Sequence, residues 1–169
     1  MKRRGTIIII SILVLLAAAI AVLVVLNDPG EAETGTITIV RGDETVRVFT
    51  MEEITAMPYI EVYKKITSSS FKDIEGTFRG VPLRALIESA DATLLDGATQ
   101  IVTRSEDAFA TAFSAEEVLE SDSVFIAYSL DGESLGTLAG GGTGPFRVII
   151  TDDEFGNRSA KYLFKIEIR

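Results

Sequence analysis

The chain has 169 residues, with 16 Lys and Arg, 25 Asp and Glu, no His and no Cys. Lacking thiolate and imidazole, it has neither the usual ligands of zinc and haem iron nor a Cys–His or Ser–His nucleophile system. Chemistry of its own falls to carboxylates, Lys, Arg, Tyr, Ser or Thr, or to a cofactor.

Residues 1–4 form a basic tail, Met1-Lys2-Arg3-Arg4, and no charged residue follows until Asp28. Thr6 to Leu26 is an uninterrupted apolar run. As a helix rising about 1.5 Å per residue it spans roughly 30 Å, a bilayer core. Residues 5–26 are therefore expected to be an uncleaved transmembrane anchor. A signal peptide is the rival, but the run ends Val24-Val25-Leu26-Asn27-Asp28-Pro29 without a small-x-small cleavage site, and no cysteine is present for a lipobox. The basic tail keeps the N-terminus cytoplasmic, so the localisation expected is single-pass in the cell membrane with the C-terminal part extracytoplasmic. Residues 27–35 are a linker and 36–169 one domain. Without the three basic residues of the tail, 13 Lys and Arg face 25 Asp and Glu, a net charge near −12 that argues against a nucleic-acid partner.

Thr36 to Val40 alternates as a strand, and Thr45 to Phe49 returns across Arg41-Gly42-Asp43-Glu44. A hairpin turn accounts for that Arg-Gly-Asp triplet better than an adhesion motif does. Thr50-Met51-Glu52-Glu53 has capping-box spacing and predicts a short helix carrying Ile54 and Met57 inward and stopping before Pro58. Glu61 to Thr67 is β-prone, Ser68-Ser69-Ser70 interrupts it, Phe71 to Phe78 alternates again, and Gly80 is expected to break that strand. Pro82 opens a helix, Leu83 to Ser89, with Leu83, Leu86 and Ile87 on one face. Ala98 to Thr103 and Ala108 to Phe113 are expected to pair across Arg104-Ser105-Glu106-Asp107. Ser114-Ala115-Glu116-Glu117 is a second capping box, opening a helix with Val118 and Leu119. Val124 to Tyr128 is the most apolar strand and is placed centrally. Asp131-Gly132 marks a hairpin. Strands Phe146 to Thr151 and Ala160 to Ile168 close the chain around the turn Asp152 to Asn157. About nine short strands in hairpin-like groups and three short capped helices give an α+β fold with a mostly antiparallel or mixed sheet.

Between Asp131-Gly132 and the last strands lies Gly140-Gly141-Gly142-Thr143-Gly144-Pro145-Phe146-Arg147. Its glycines permit left-handed backbone and close approach by another group. It matches neither a dinucleotide fingerprint nor a Walker A loop, and a strand rather than a helix follows. The alternative is a plain connector. Arg104, Arg147 and Lys161 stand at or near the ends of core-like elements. Converging, they would bind a phosphate-sized anion; apart, each would merely pair with a surface carboxylate. Asp152-Asp153-Glu154 and Glu116-Glu117 lack the spacing of a calcium loop. Asn157-Arg158-Ser159 is an N-glycosylation sequon in a surface turn.

Four segments taken together resemble a known family. Gly76-Thr77-Phe78-Arg79-Gly80-Val81-Pro82-Leu83-Arg84-Ala85-Leu86-Ile87 is similar to the G-x-y-x-G-v-p-L-x-x-L-l segment of sulfite-oxidase-like molybdopterin-binding domains. Ser105-Glu106-Asp107-Ala108-Phe109 with Phe113-Ser114-Ala115-Glu116-Glu117, Phe125-Ile126-Ala127-Tyr128 with Asp131-Gly132-Glu133-Ser134-Leu135, and Gly144-Pro145-Phe146-Arg147-Val148-Ile149 resemble its later segments in order. The resemblance covers roughly residues 50–169. It implies a mixed α+β fold that holds a pterin cofactor, with Arg147 and the backbone of Gly141, Gly142 and Gly144 as pocket elements. On the same ground Arg104, Ser105 and Asp107 would line the opposite side, and Lys161 would neutralise a phosphate. Catalytic members bind molybdenum through a cysteine thiolate. This chain has none, and Ser68 to Ser70 stands about where the ligand is expected. Ala108 replaces a Gly and Thr151 a Pro of the family pattern.

These residues lead to the expectation of a membrane-anchored domain that binds a pterin or related small ligand without a metal or catalytic residues. The alternatives are a molybdopterin-dependent oxidoreductase with non-cysteine metal ligation, and a non-catalytic interaction domain with an empty pocket. The protein partner is left open.

Overall fold

The computed structural model describes residues 2–26, 35–67 and 73–169, with side chains of the first span described from residue 10 to 22. The linker 27–34 and the Ser68-Ser69-Ser70 segment lie outside the described residues. The chain divides into two units, Met1–Glu31 and Ala32–Arg169.

In the first unit, helix α1 runs Lys2–Leu26. Every described side chain from residue 10 to 22 is exposed. Among the described residues no helix is long and apolar enough to cross a membrane.

The second unit is built on two five-stranded sheets. The first contains β1 (Thr36–Arg41), β2 (Glu44–Thr50), β5 (Gln100–Ser105), β6 (Ala110–Ser114) and β10 (Leu163–Ile168), in the order β2-β1-β10-β5-β6. The second contains β3 (Ile60–Ile66), β4 (Ile74–Pro82), β7 (Val124–Leu130), the two-residue β8 (Glu133–Ser134) and β9 (Arg147–Ile150), ordered β3-β4-β7-β8 with β9 also on β7. The described strand pairs are antiparallel except β1 with β10. The α+β reading with a mixed sheet holds, although there are two sheets rather than one.

Local chemistry explains most of the elements. Thr50 Oγ1 accepts from the Glu53 N–H, and the Thr50 N–H donates back to Glu53 Oε2 at 2.8 Å, so the first capping box opens α2 (Met51–Thr55). Ser114 Oγ accepts from the Glu117 N–H at 3.1 Å and caps α4 (Ala115–Glu120). Between them, α3 (Leu83–Ala90) buries Leu83, Leu86 and Ile87, as its spacing predicts. The Asp131-Gly132 turn takes left-handed backbone at both residues, which fits the hairpin joining β7 to β8.

Two expectations are corrected. Gly80 does not end its strand: β4 continues to Pro82 through a register shift at Arg79 and Gly80. A Cβ there would lie 2.2 Å from the Ile126 carbonyl oxygen, so the glycine permits the close seam with β7. In α4, Val118 is buried and the next residue, Leu119, about 100° further round the helix, is exposed. The last strand begins at Leu163, which leaves Lys161 in the bend before it.

The larger core lies between the sheets and α3, and draws on Ile39, Ile101, Ile166, Val81, Ile126, Val148 and Leu86. A smaller core with Phe78, Phe125, Ala127, Leu135 and Ile149 covers the opposite face of the second sheet. Strand β7 is therefore buried on both faces, which explains its unbroken apolar sequence. Each fully buried Ile or Phe contributes about 1.5–3 kcal/mol.

Candidate functional site

The two sheets meet where residues 160–163 run beside β9. The Val148 N–H donates to the Ala160 carbonyl at 2.8 Å, and the Leu163 N–H to the Phe146 carbonyl at 3.0 Å. Ser105, the last residue of β5, lies opposite Leu163, and the Glu106 N–H donates to the Tyr162 carbonyl at 3.0 Å. This corner gathers Arg147, Lys161, Tyr162, Ser105 and Asp107.

Arg147 is the first residue of β9 and shares a strand face with Ile149, so the smaller core's environment surrounds it. Only 3% of it is exposed. Its Nε donates to Ser159 Oγ at 2.9 Å, and that hydroxyl donates onward to the Val148 carbonyl at 2.7 Å. Its Nη1 is buried without a hydrogen bond, and among the described residues no carboxylate pairs with it. Burial pulls the guanidinium down to about 10, slightly opposed by Tyr162. Burial and then the charge of Arg147 lower Lys161, and Asp107 opposes them, so the three charges feel one another. Buried polar groups are nearly always satisfied. Ser105 Oγ, on a residue with no exposed surface, is nevertheless also without a partner.

Asp107 Oδ1 accepts from the Phe109 N–H at 3.2 Å and shapes the β5–β6 turn, where Ala108 adopts a positive φ of 64°. Here the chain takes a glycine-like conformation without the glycine. Arg104 is placed elsewhere. It alternates with Ser105 along β5 and forms an ion pair with Glu167 on β10, its Nη2 also 3.4 Å from that carboxylate.

The glycine loop is ordered by its own backbone. The N–H groups of Gly140, Gly141 and Gly142 donate to Thr137 and Leu138 carbonyls, those of Thr143 and Gly144 to Leu135 and Gly136. A Cβ on Gly142 would lie 2.4 Å from the Leu135 carbonyl oxygen, and one on Gly144 would lie 2.5 Å from Leu135 Cβ. The glycines thus let two chain segments touch, and the amides that were expected to face a ligand are already used. Gly142 still joins the corner through its carbonyl, which accepts from Tyr162 Oη at 2.8 Å.

Sequence reasoning missed Ser159 and Tyr162, which hold the corner together, and Thr111, whose buried Oγ1 is the third orphaned atom. Adjacency to the expected Lys161 was the only signal for Tyr162, and membership of the sequon the only one for Ser159. Asn157 of that sequon is exposed on the 3-10 turn Gly156–Arg158. A small pocket of about 10 Å³, room for one water at most, reaches Ser159 between Lys64, Ile149 and Phe155. An open groove of about 440 Å³ runs past Glu116, Glu117, Glu120 and Asp152. Among the described residues no cluster of three or more His, Cys, Asp or Glu is arranged to hold a metal ion. The anionic end of a molybdopterin would find its charge partners here in the orphaned Arg147 Nη1 and in Lys161. A thiolate for its metal is absent from the sequence.

The family model for the oxidoreductase molybdopterin binding domain matches residues 27–169. Among solved structures, the sulfane dehydrogenase SoxCD of Paracoccus pantotrophus is similar at 18% identity with a TM-score of 0.64. The likeness covers 82% of this chain but only 39% of that one. No curated protein matches the chain.

Proposed function

The chain belongs to the oxidoreductase molybdopterin-binding domain family, and on that premise we propose that it binds a pterin or related small ligand by its anionic group, without molybdenum catalysis. The observation that carries this is the buried Arg147, whose Nη1 has no hydrogen-bond partner. A guanidinium removed from water without a counter-charge is costly. A bound oxyanion would supply both the charge and the missing acceptor, and a guanidinium suits phosphate by its planar fork. Lys161 adds a second cation and Ser105 Oγ a further hydrogen bond. When bound, molybdopterin supplies its family with a dithiolene-held metal for redox chemistry. This chain's residues bind and neutralise, and none stands out as an acid, base or metal ligand.

The same reading places the domain outside the cytoplasm on an anchor at residues 5–26, supported by the apolar run and by Lys2, Arg3 and Arg4 ahead of it. Protease added to sealed right-side-out cells should remove residues 36–169; full protection would refute that orientation.

The test of binding is to purify the full-length chain, assay it for pterin fluorescence and molybdenum, and titrate it with inorganic phosphate and a pterin phosphate. Saturable binding of the anions, with no stoichiometric molybdenum, is the expected result. Stoichiometric molybdenum would overturn the reading in favour of an oxidoreductase with non-cysteine metal ligation. Binding of neither anion would leave the interaction domain.

A further inference from the structure

Arg147 is nearly closed off from solvent, with only 3% of it exposed. The segment 156–159 reaches it through Ser159, and that segment is held in an unusual way. Its 3-10 turn contributes no buried residue. Its position rests on polar contacts instead. The Gly156 N–H donates to the Thr67 carbonyl at 3.2 Å, and Ser159 Oγ holds both Arg147 and the Val148 carbonyl.

The strongest of these contacts are made by Arg158. Its Nε and Nη2 donate to the two oxygens of Asp153, at 2.8 and 2.6 Å, and its Nη1 donates to Glu117 at 2.7 Å. The guanidinium carbon also lies 5.4 Å from the ring centroid of Phe113. One side chain thus ties the cover to the turn after β9, to α4 and to β6. Bidentate, charge-assisted contacts of this sort are the strong ones, and a segment without apolar burial opens at low cost once they are lost. The residue after the clip is Ser159, so releasing Arg158 also releases the hydroxyl that orients Arg147.

We propose that residues 156–159 are a latched cover over Arg147, with Arg158 as the latch and Glu117 and Asp153 as its two catches. Opening the latch exposes the guanidinium and admits the anionic ligand. The role assigned to the opening rests on the proposed oxyanion site; the cover itself does not.

The test uses the ligand-free full-length chain and phenylglyoxal, which modifies accessible guanidinium groups, with mass spectrometry reporting the rate at each arginine. In the wild type, Arg147 should react far more slowly than the exposed Arg41. Combining Glu117→Gln with Asp153→Asn should speed reaction at Arg147 at least about tenfold, roughly the loss of one strong contact. Arg104, paired outside the cover, should keep its rate. Two results overturn the proposal: Arg158 becomes reactive while Arg147 stays slow, or Arg104 and Arg147 accelerate together, which is general loosening. Should the double variant not fold, the wild type is followed from about 20 mM to about 1 M salt, where screening weakens the half-buried latch. Acceleration confined to Arg147 and Arg158 is then expected, and a flat rate at Arg147 refutes the latch. Adding inorganic phosphate to the same reaction tests the site separately. No protection of Arg147 by phosphate in the opened variant would sink the oxyanion reading and leave the cover standing.

Discussion

Two arginines in the same acidic domain receive opposite treatment. Arg104 on β5 meets Glu167 across the strand pair, and that carboxylate also pairs with Arg169. Arg147 on β9 is more deeply buried and meets only a serine hydroxyl. The first is a satisfied structural ion pair. The second holds its charge where, among the described residues, no carboxylate pairs with it, and such an arrangement persists only if the surroundings over-determine it. Backbone bonds on both sides of Arg147 do this, from the Val148 N–H to the Ala160 carbonyl and from the Leu163 N–H to the Phe146 carbonyl. Charge alone therefore does not mark a site; the absence of a counter-charge in a buried place does.

The largest expected effect separates the two on binding. Arg147→Met should weaken inorganic phosphate at least about 100-fold, two steps of 1.4 kcal/mol. Arg104→Met should change it less than about twofold. Isothermal titration would show this, and an equal loss in both variants would break the distinction.

Stability should move the other way. Removing a buried, uncompensated charge stabilises, so ligand-free Arg147→Met is expected to gain about 1–3 kcal/mol in urea unfolding. Arg104→Met should lose about 1 kcal/mol, because it leaves the half-buried Glu167 with Arg169 alone. A destabilised Arg147→Met would mean that the guanidinium is satisfied after all, and the oxyanion site would lose its main support.

The fold was largely legible because its signals are local. The Thr50 and Ser114 caps, the Asp131-Gly132 hairpin and the doubly buried β7 all follow from neighbouring residues. The division into two sheets was not, because the parallel β1–β10 pair joins the two ends of the domain, and no periodicity reports that. The site was legible by halves. Arg147 at the head of a strand was visible, but Arg104 looked equivalent, and only the structure shows its side chain reaching diagonally across β5 and β10 to Glu167. The glycine loop was recognisable as special backbone. What the sequence did not show is that its amides are taken up by the carbonyls of Leu135, Gly136, Thr137 and Leu138.

The smallest effect tests the paired side of the comparison by pH. Burial pushes the Glu167 carboxyl up, but hydrogen bonds from Arg104 and Arg169 outweigh it and hold it below its ordinary value of 4.5. A carboxyl lowered in the folded state binds protons less readily there than in the unfolded chain. Its contribution is therefore complete above the ordinary carboxylate range and is lost as pH falls through the lower, folded value. Glu167→Gln removes that dependence, so wild type and variant should differ by about 1 kcal/mol at neutral pH and converge in acid. Arg147 adds nothing to this acid slope, because its lowered value of about 10 leaves it charged throughout the range. Its signature lies at the other end: a cation lowered by folding loses its proton more easily in the folded state, so ligand-free stability should rise as pH passes about 10. Arg147→Met should abolish that alkaline rise and leave the acid slope intact, while Glu167→Gln should do the reverse. Urea midpoints collected across both ranges would show the two signatures as separable, and a single variant that erased both would mean the two arginines are not independent.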